Sequence, residues 1–500
     1  MPRIPLVDGA YSARSIISSA QRSVNVYAES NPKSSPTPFT YYPAPGLRVL
    51  GTPPTPAQAR CLYRANSGDL YYVCGNTVYF VSPAYAFTSL GTIGTSAGIC
   101  SMADNGTTIV LVDSSASGYQ INMLSRVMTP ITAATNAPPP AALSTYEFNG
   151  GTRVDVIDGF IITNDNGTRA FRSTYLNQII WDSLWVAFKN GYSDNLVAVV
   201  VQKREIWLIG EKTGEIWFDA GLADFPFAIM PGPFIHHGCN APYSITAANG
   251  HVYWLSQSLA GQNILVRGRG YEVEEVSTAA LVTEWSQYST TSDAIGFCFQ
   301  QNDHTFYQIT FPAADKTWRY DESTHQWHEA LWTDGNGVQH RHRANCTAFA
   351  YGVNVVGDWE TGQLYALDPT VYTDAGAPME WRRGFPHLMN DGNRAIFPGF
   401  TLDAEYGSSA GIPTPPVTVP GTPVTDATPV VYLRWSDDRG RTWSNPVPQS
   451  LGETGAYLTQ AQWNRTGMAR DRVFEVFGTI PGKFAVNGAF LDPPPIMMKS

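Results

Sequence analysis

The chain has 500 residues and a net charge of −10; 43 % of it is apolar, 12 % aromatic and only 15 % charged. A length of this order predicts two or three domains. The sparse, acidic charge excludes the basic patches and tails that grip phosphate backbones, and the lack of any run of 18 apolar residues excludes a membrane-spanning helix.

With 44 Gly, 36 Pro and many rings, the composition reads as all-β. Arginine (25) far outnumbers lysine (7). Arginine is the cation that protein interfaces retain, for its planar donor fork, and low charge marks interface cores. The six cysteines, Cys61, Cys74, Cys100, Cys239, Cys298 and Cys346, are scattered without a CxxC pair and read as buried free thiols.

At the start, MPRIPLVDGAYSARS lacks the apolar stretch of a signal peptide. Residues 1–60, with SSPTPFTYYPAPGL, read as an extended N-terminal arm that lies against another domain or another subunit. From residue 61 the chain alternates short apolar runs with Gly, Asn and Asp turns. The segments 70–82, 106–124, 158–173, 196–221, 250–276, 304–332 and 347–369 each read as a hairpin or as two to three strands. Asn166-Gly167 is the strongest turn signal among them. Only Thr278–Gln287 has helical periodicity. These units recur every 40 to 50 residues, the period of propeller blades. The fold expectation is a β-propeller of about six blades over residues 61–375, with the repeats too dissimilar to separate six from seven. A chain of β-sandwiches is the competing architecture.

After residue 375 the texture changes. GIPTPPVTVPGTPVTDATPV (411–430) is Pro- and Thr-rich and reads as a linker or long loop. Residues 376–500 are expected to form a C-terminal β-sandwich-like domain, ending in two strands joined at Pro481-Gly482.

SDDRGRTW (436–443) spells the Ser-x-Asp-x-Gly-x-Thr-Trp pattern known as an Asp-box. Its chemistry is conformational. Asp438 accepts backbone N–H groups across a turn, Gly440 supplies a positive φ, and Trp443 packs across the hairpin onto Trp435 or a neighbour. Ser436, Asp438, Gly440, Thr442 and Trp443 are therefore read as a structural turn. Sialidases resemble this only in part. They carry several boxes, remote from the catalytic centre, and they need converging arginines and a tyrosine nucleophile.

His325, His328, His340 and His342 fall within 18 residues but match no common zinc spacing. No nucleophile elbow, Walker loop or HExxH is present. Asp437-Asp438 and Glu274-Glu275 are adjacent and face opposite ways in a strand, so they do not pair as acid and base. The residues point to a scaffold: no catalytic, cofactor or metal site is expected.

QRSVNVYAESNP (21–32) and PAPGLRVLG (43–51) are followed by YYVCGNTVYFV, DGFIITNDNGT, WDSLWVAFKNGYSDNLVAVVVQKREIWLIGEKTGEIWFDAGLADFPF and IHHGCNAPYSIT. In that order, over residues 15 to 375, they resemble the packaged-DNA stabilisation or tail nozzle proteins of short-tailed phages. The resemblance implies a virion protein of the phage tail, assembled in the host cytoplasm. It would form a homo-oligomeric ring, expected to be a hexamer, that docks onto tail adaptor proteins and meets needle, spike or fibre proteins. Its ring would retain double-stranded DNA and pass it at ejection without sequence-specific binding or membrane insertion. A charge-poor β protein suits a permanent ring, and an acidic balance suits a channel that must not hold DNA. Two rivals remain: a phage-borne glycan-binding or sialidase-like propeller contacting host sugars, and a propeller interaction hub unrelated to virions.

Overall fold

The computed structural model describes residues 3–4, 21–139, 144–257, 261–389, 393–407, 429–453, 455–479, 482–491 and 496–497. The Pro/Thr-rich stretch lies, up to residue 428, outside them. Among the described residues, strands dominate, with helices only at Ala133–Asn136 and Ala279–Trp285 and a 3-10 turn at Pro242–Ser244.

Six four-stranded antiparallel meanders follow one another at 59–92, 101–130, 154–188, 196–235, 246–275 and 295–329. These are blades 1 to 6. Blade 7 takes three strands, Ala344–Ala350, Val353–Asp358 and Leu364–Asp368, from the end of the run. Its outer strand is Gly46–Gly51, from near the other end of the chain, paired antiparallel with Leu47 opposite Leu367. The ring is thus closed by a strand from the N-terminal segment, and the blade count is seven.

An apolar cluster fills each junction between neighbouring blades. Tyr71, Phe80, Ile109 and Leu111 join blades 1 and 2. Trp207, Ile209, Val252 and Trp254 join blades 4 and 5. Tyr72, Val81, Val355 and Leu364 join blade 7 back to blade 1. Flat sheets of alternating side chains bury both faces only when stacked on neighbours, so closure stabilises every blade. Trp207, Trp217 and Phe227 are buried, and Phe225 packs against the cluster that holds Trp217 and Phe227, so these rings belong to the core.

The turns between the first two strands of blades 3 to 7 share one geometry. Asp158-Gly159 (φ 49° and 92°), Lys203-Arg204 (52°, 62°), Asn249-Gly250 (50°, 81°), Asn302-Asp303 (48°, 63°) and Tyr351-Gly352 (53°, 82°) have two consecutive positive φ values. This is the two-residue turn whose twist matches the flanking strands.

Two further sheets pack face to face, built from strands beyond residue 380 together with strands from residues 23–43. One has the strand order 26–30, 39–43, 486–490, 399–404, 462–464. The other has the order 23–24, 381–384, 471–478, 430–436, 447–450. Trp381, Phe400, Leu433, Trp463, Phe474 and Val476 fill the space between them. The strands on either side of Pro481-Gly482 are consecutive but unpaired with each other: 471–478 lies in one sheet and 486–490 in the other. The second sheet is continuous with the propeller, because Val24 pairs in parallel with Glu329 of blade 6. Residues 21–51 therefore leave no free arm. They supply strands to both sandwich sheets and to blade 7, and this buries Val26, Ala28, Tyr41 and Leu47.

Candidate functional site

The Asp-box joins strand Val430–Ser436 to strand Val447–Ser450. Ser436 Oγ donates to Asp438 Oδ1 at 2.7 Å and accepts from the Gly440 N–H at 2.7 Å. Asp438 also accepts from the Thr442 N–H at 2.8 Å and the Thr442 hydroxyl at 2.6 Å. The bonds from Thr442, and the one from Ser436, hold its carboxyl low, at about 2. Gly440 has φ 91°. Trp443 meets the Arg434 guanidinium, 4.5 Å from its ring, rather than Trp435. Asp437 points the other way from Asp438 and takes a two-pronged bond from the buried Arg472 at 2.6 and 2.7 Å.

From this hairpin a chain of charges runs to the propeller. Arg434, held against Trp443, donates to the buried carboxylate of Glu475 at 2.7 Å. Arg382 donates to the same oxygen at 3.1 Å and also pairs with Glu380. At the far end Arg22 grips Glu329 of blade 6 with two bonds, at 2.8 and 2.6 Å. Charge-assisted two-pronged pairs of this kind fix orientation.

Asn25 sits at the centre of the joint, 2 % exposed and in the left-handed region at φ 51°. Its amide donates to the carbonyls of Leu331 at 2.9 Å and Glu380 at 2.8 Å, and its oxygen accepts the Leu331 N–H at 3.1 Å. One side chain thus ties the N-terminal segment, the propeller and the sandwich. Close by, the fully buried Arg383 donates to Ser23 Oγ at 2.7 Å and Gln21 Oε1 at 3.1 Å and stacks over Tyr41. These joint residues carry no local signature. Pairing over more than 300 positions leaves no periodicity to read, and only QRSVN, part of the stretch that carries the family likeness, overlaps them.

The four histidines go to separate partners. His325 meets the Tyr320 hydroxyl at 2.9 Å, and His340 meets Asp315 at 2.8 Å. His342 faces Arg319 at 3.0 Å, and His328 is buried against the Phe306 ring. Burial pushes the His328 imidazole down to about 3 and lowers that of His342. Among the described residues no group of three metal-ligating side chains occurs. All six cysteines are free, as the sequence suggests, but only four are buried, Cys298 and Cys346 being half-buried. No described helix is long and apolar enough to cross a membrane.

Residues 2–372 match the family model described as "Bacteriophage P22 Gp10, beta-propeller", and residues 380–492 match the one described as "Bacteriophage P22 Gp10, beta-sandwich". The chain belongs to the P22 Gp10 family of packaged-DNA stabilisation proteins. It is an all-β phage structural protein of the tail, a propeller followed by a sandwich, and a component of the virion that assembles with other tail proteins. No curated protein matches it. Among solved structures, the "WD40 beta propeller domain of Doa1" is similar at 10 % identity and a TM-score of 0.38, over 64 % of this chain and 97 % of that one.

Proposed function

We propose that this protein is the nozzle of a short phage tail: a homo-oligomeric ring, expected to be a hexamer, that extends the portal–adaptor channel. In this role it holds the packaged genome and then forms the conduit for ejection. Membership of the P22 Gp10 family across both domains carries the reading. The net charge of −10 supports it, because an acidic wall repels phosphates and lets DNA slide, where a basic one would hold it at many contacts. The protein acts without catalysis in this role. Its adaptor, needle, spike or fibre contacts are protein–protein, and assembly takes place in the host cytoplasm.

The division that fits this role has an extended N-terminal arm over 1–60, a propeller over 61–375 and a sandwich over 376–500, with the arm's strands at 23–30, 39–43 and 46–51 built into both domains. The Asp-box of Ser436, Asp438, Gly440, Thr442 and Trp443 serves as a structural turn. It orients Arg434 and so stiffens the sandwich against the propeller, which a pressure-bearing conduit needs. The test is genome retention. Heads filled in the absence of the protein should lose their DNA to added nuclease, and adding the purified protein before the nuclease should protect it. Heads that keep DNA equally well without the protein would contradict the proposal.

A further inference from the structure

The expectation that so acidic a chain carries no basic patch fails at the Asp-box end of the sandwich. There the segments 393–398, 436–442 and 465–472 bring six arginines, Arg394, Arg439, Arg441, Arg465, Arg470 and Arg472, against three aspartates, Asp437, Asp438 and Asp471. Net charge is a sum over the whole chain, and folding gathers this local surplus from stretches far apart in sequence. Ala395 pairs with Ala469 and Ile396 with Met468, which sets Arg394 opposite Arg470. The Arg465 N–H donates to the Pro398 carbonyl at 2.7 Å. Arg472 fastens the box to the third segment, with its two bonds to Asp437 and another to the Thr466 carbonyl at 2.6 Å.

Every carboxylate of these segments is taken. Asp437 is held by Arg472, and Asp438 by Ser436 and Thr442. Asp471 accepts from Arg439 at 2.6 Å and meets His387 at 2.9 Å. Arg394, Arg441, Arg465 and Arg470 are exposed, and their guanidinium groups form no ion pair with a described residue. Like charges directly opposite each other destabilise a strand pair. At a cross-strand spacing of about 5 Å, the forks of Arg394 and Arg470 can close together on one anion. Two exposed methionines stand among these arginines. Met468, opposite Ile396, is 43 % exposed, and Met389, opposite Asp471, is 58 % exposed.

Arginine's planar fork matches the oxygens of a phosphate group, and methionine is a flexible apolar side chain that fits irregular surfaces. The backbone of a duplex offers phosphates but gives the methionines nothing apolar to cover, whereas a lipid surface offers both. We infer that this end of the sandwich docks onto an anionic phospholipid surface, with the free arginines on headgroup phosphates and Met389 and Met468 in the boundary layer beneath them. The contact is peripheral and needs no spanning element. It goes beyond the conduit role and stands whether or not the chain closes a ring.

The experiment sediments the full chain with vesicles of phosphatidylcholine, alone or mixed with phosphatidylglycerol, and titrates it with duplex DNA and with polyglutamate at the same ionic strength. Binding to the mixed vesicles should exceed binding to phosphatidylcholine by about tenfold or more and should fall away at high salt. Each arginine near an anionic surface contributes about fivefold, so Arg394→Gln/Arg470→Gln and Arg441→Gln/Arg465→Gln should each weaken binding about 30-fold. Met389→Ser/Met468→Ser should weaken it about tenfold. All these positions are exposed, so the unfolding curves should match wild type. Arg64→Gln/Arg169→Gln makes the same change of charge on exposed arginines of blades 1 and 3 and should leave binding unchanged. Absence of binding to the mixed vesicles, wild-type binding in the Arg394/Arg470 variant, or an equal loss in the Arg64/Arg169 variant would overturn the lipid contact. So would binding to duplex DNA or to polyglutamate as tight as to the mixed vesicles. None of these results would touch the ring.

Discussion

Replacing Asn25 by alanine tests whether the propeller and the sandwich are one mechanical unit. Asn25 is 2 % exposed, and its side chain makes the three bonds to Leu331 and Glu380 that cross the joint. Alanine leaves one N–H and two carbonyls without those partners. It also holds a residue with a Cβ at φ 51°, where asparagine is tolerated far better. A buried polar group left unpaired costs ~1–3 kcal/mol, and the conformation about 1 more, so Asn25→Ala should destabilise the joint by about 4 kcal/mol. For a unit of 500 residues that lowers the melting temperature by about 4 °C. Asn25→Gly relieves only the backbone part and should recover about 1 kcal/mol. Asn25→Asp keeps an acceptor for the Leu331 N–H but aims a carboxylate oxygen at two carbonyls, and should be no better than alanine. Calorimetry of the three variants reads these shifts, and the sandwich should melt as a separate transition in Asn25→Ala. A single transition within 1 °C of wild type would refute the claim that this side chain couples the domains.

Other consequences are as direct. Asp374 is 4 % exposed, its Oδ2 has no hydrogen bond, and burial pushes its carboxyl up to about 7 although Arg343 and Arg319 oppose the shift. The folded state therefore holds a proton that the unfolded state has lost, so this residue's contribution falls as pH rises from about 4 to about 7. Asp374→Asn should raise the urea midpoint at pH 8, by about 4 kcal/mol in stability, and change it little at pH 4; an equal effect at both pH values would count against it. Trp207 is 2 % exposed and stacks edge-on to Trp254 at 6.3 Å, so Trp207→Ala should cost ~3–5 kcal/mol in chemical unfolding. Asp438→Ala removes the acceptor of the Ser436 and Thr442 bonds, and trypsin should then cut at Arg439 or Arg441, sites expected to resist in the wild type. Cleavage at the same rate in both proteins would show that the box does not fix the turn.

What the sequence discloses follows the range of the forces involved. The meanders, the helix at 279–285 and the Asp-box turn are local and follow from alternation and turn chemistry. Even there, Lys203-Arg204 and Tyr351 adopt left-handed turn conformations that their residue types do not announce; flanking strands impose them. Closure is not local. Nothing in GLRVLG says that Gly46–Gly51 pairs with a strand more than 300 residues away, so the number of blades stays open until that pairing is seen. The same holds for the joint, where Arg22, Asn25, Arg383 and Glu475 look like ordinary surface polar residues in sequence. Arg22, Asn25 and Arg383 find partners more than 300 residues away, and Glu475 finds Arg434 and Arg382 on neighbouring strands of its sheet.

The decisive measurement is the native mass of the purified protein with and without the phage's portal–adaptor complex. A nozzle requires a closed ring, expected at six copies, either free or recruited onto that complex. A chain that stays monomeric under both conditions would contradict it.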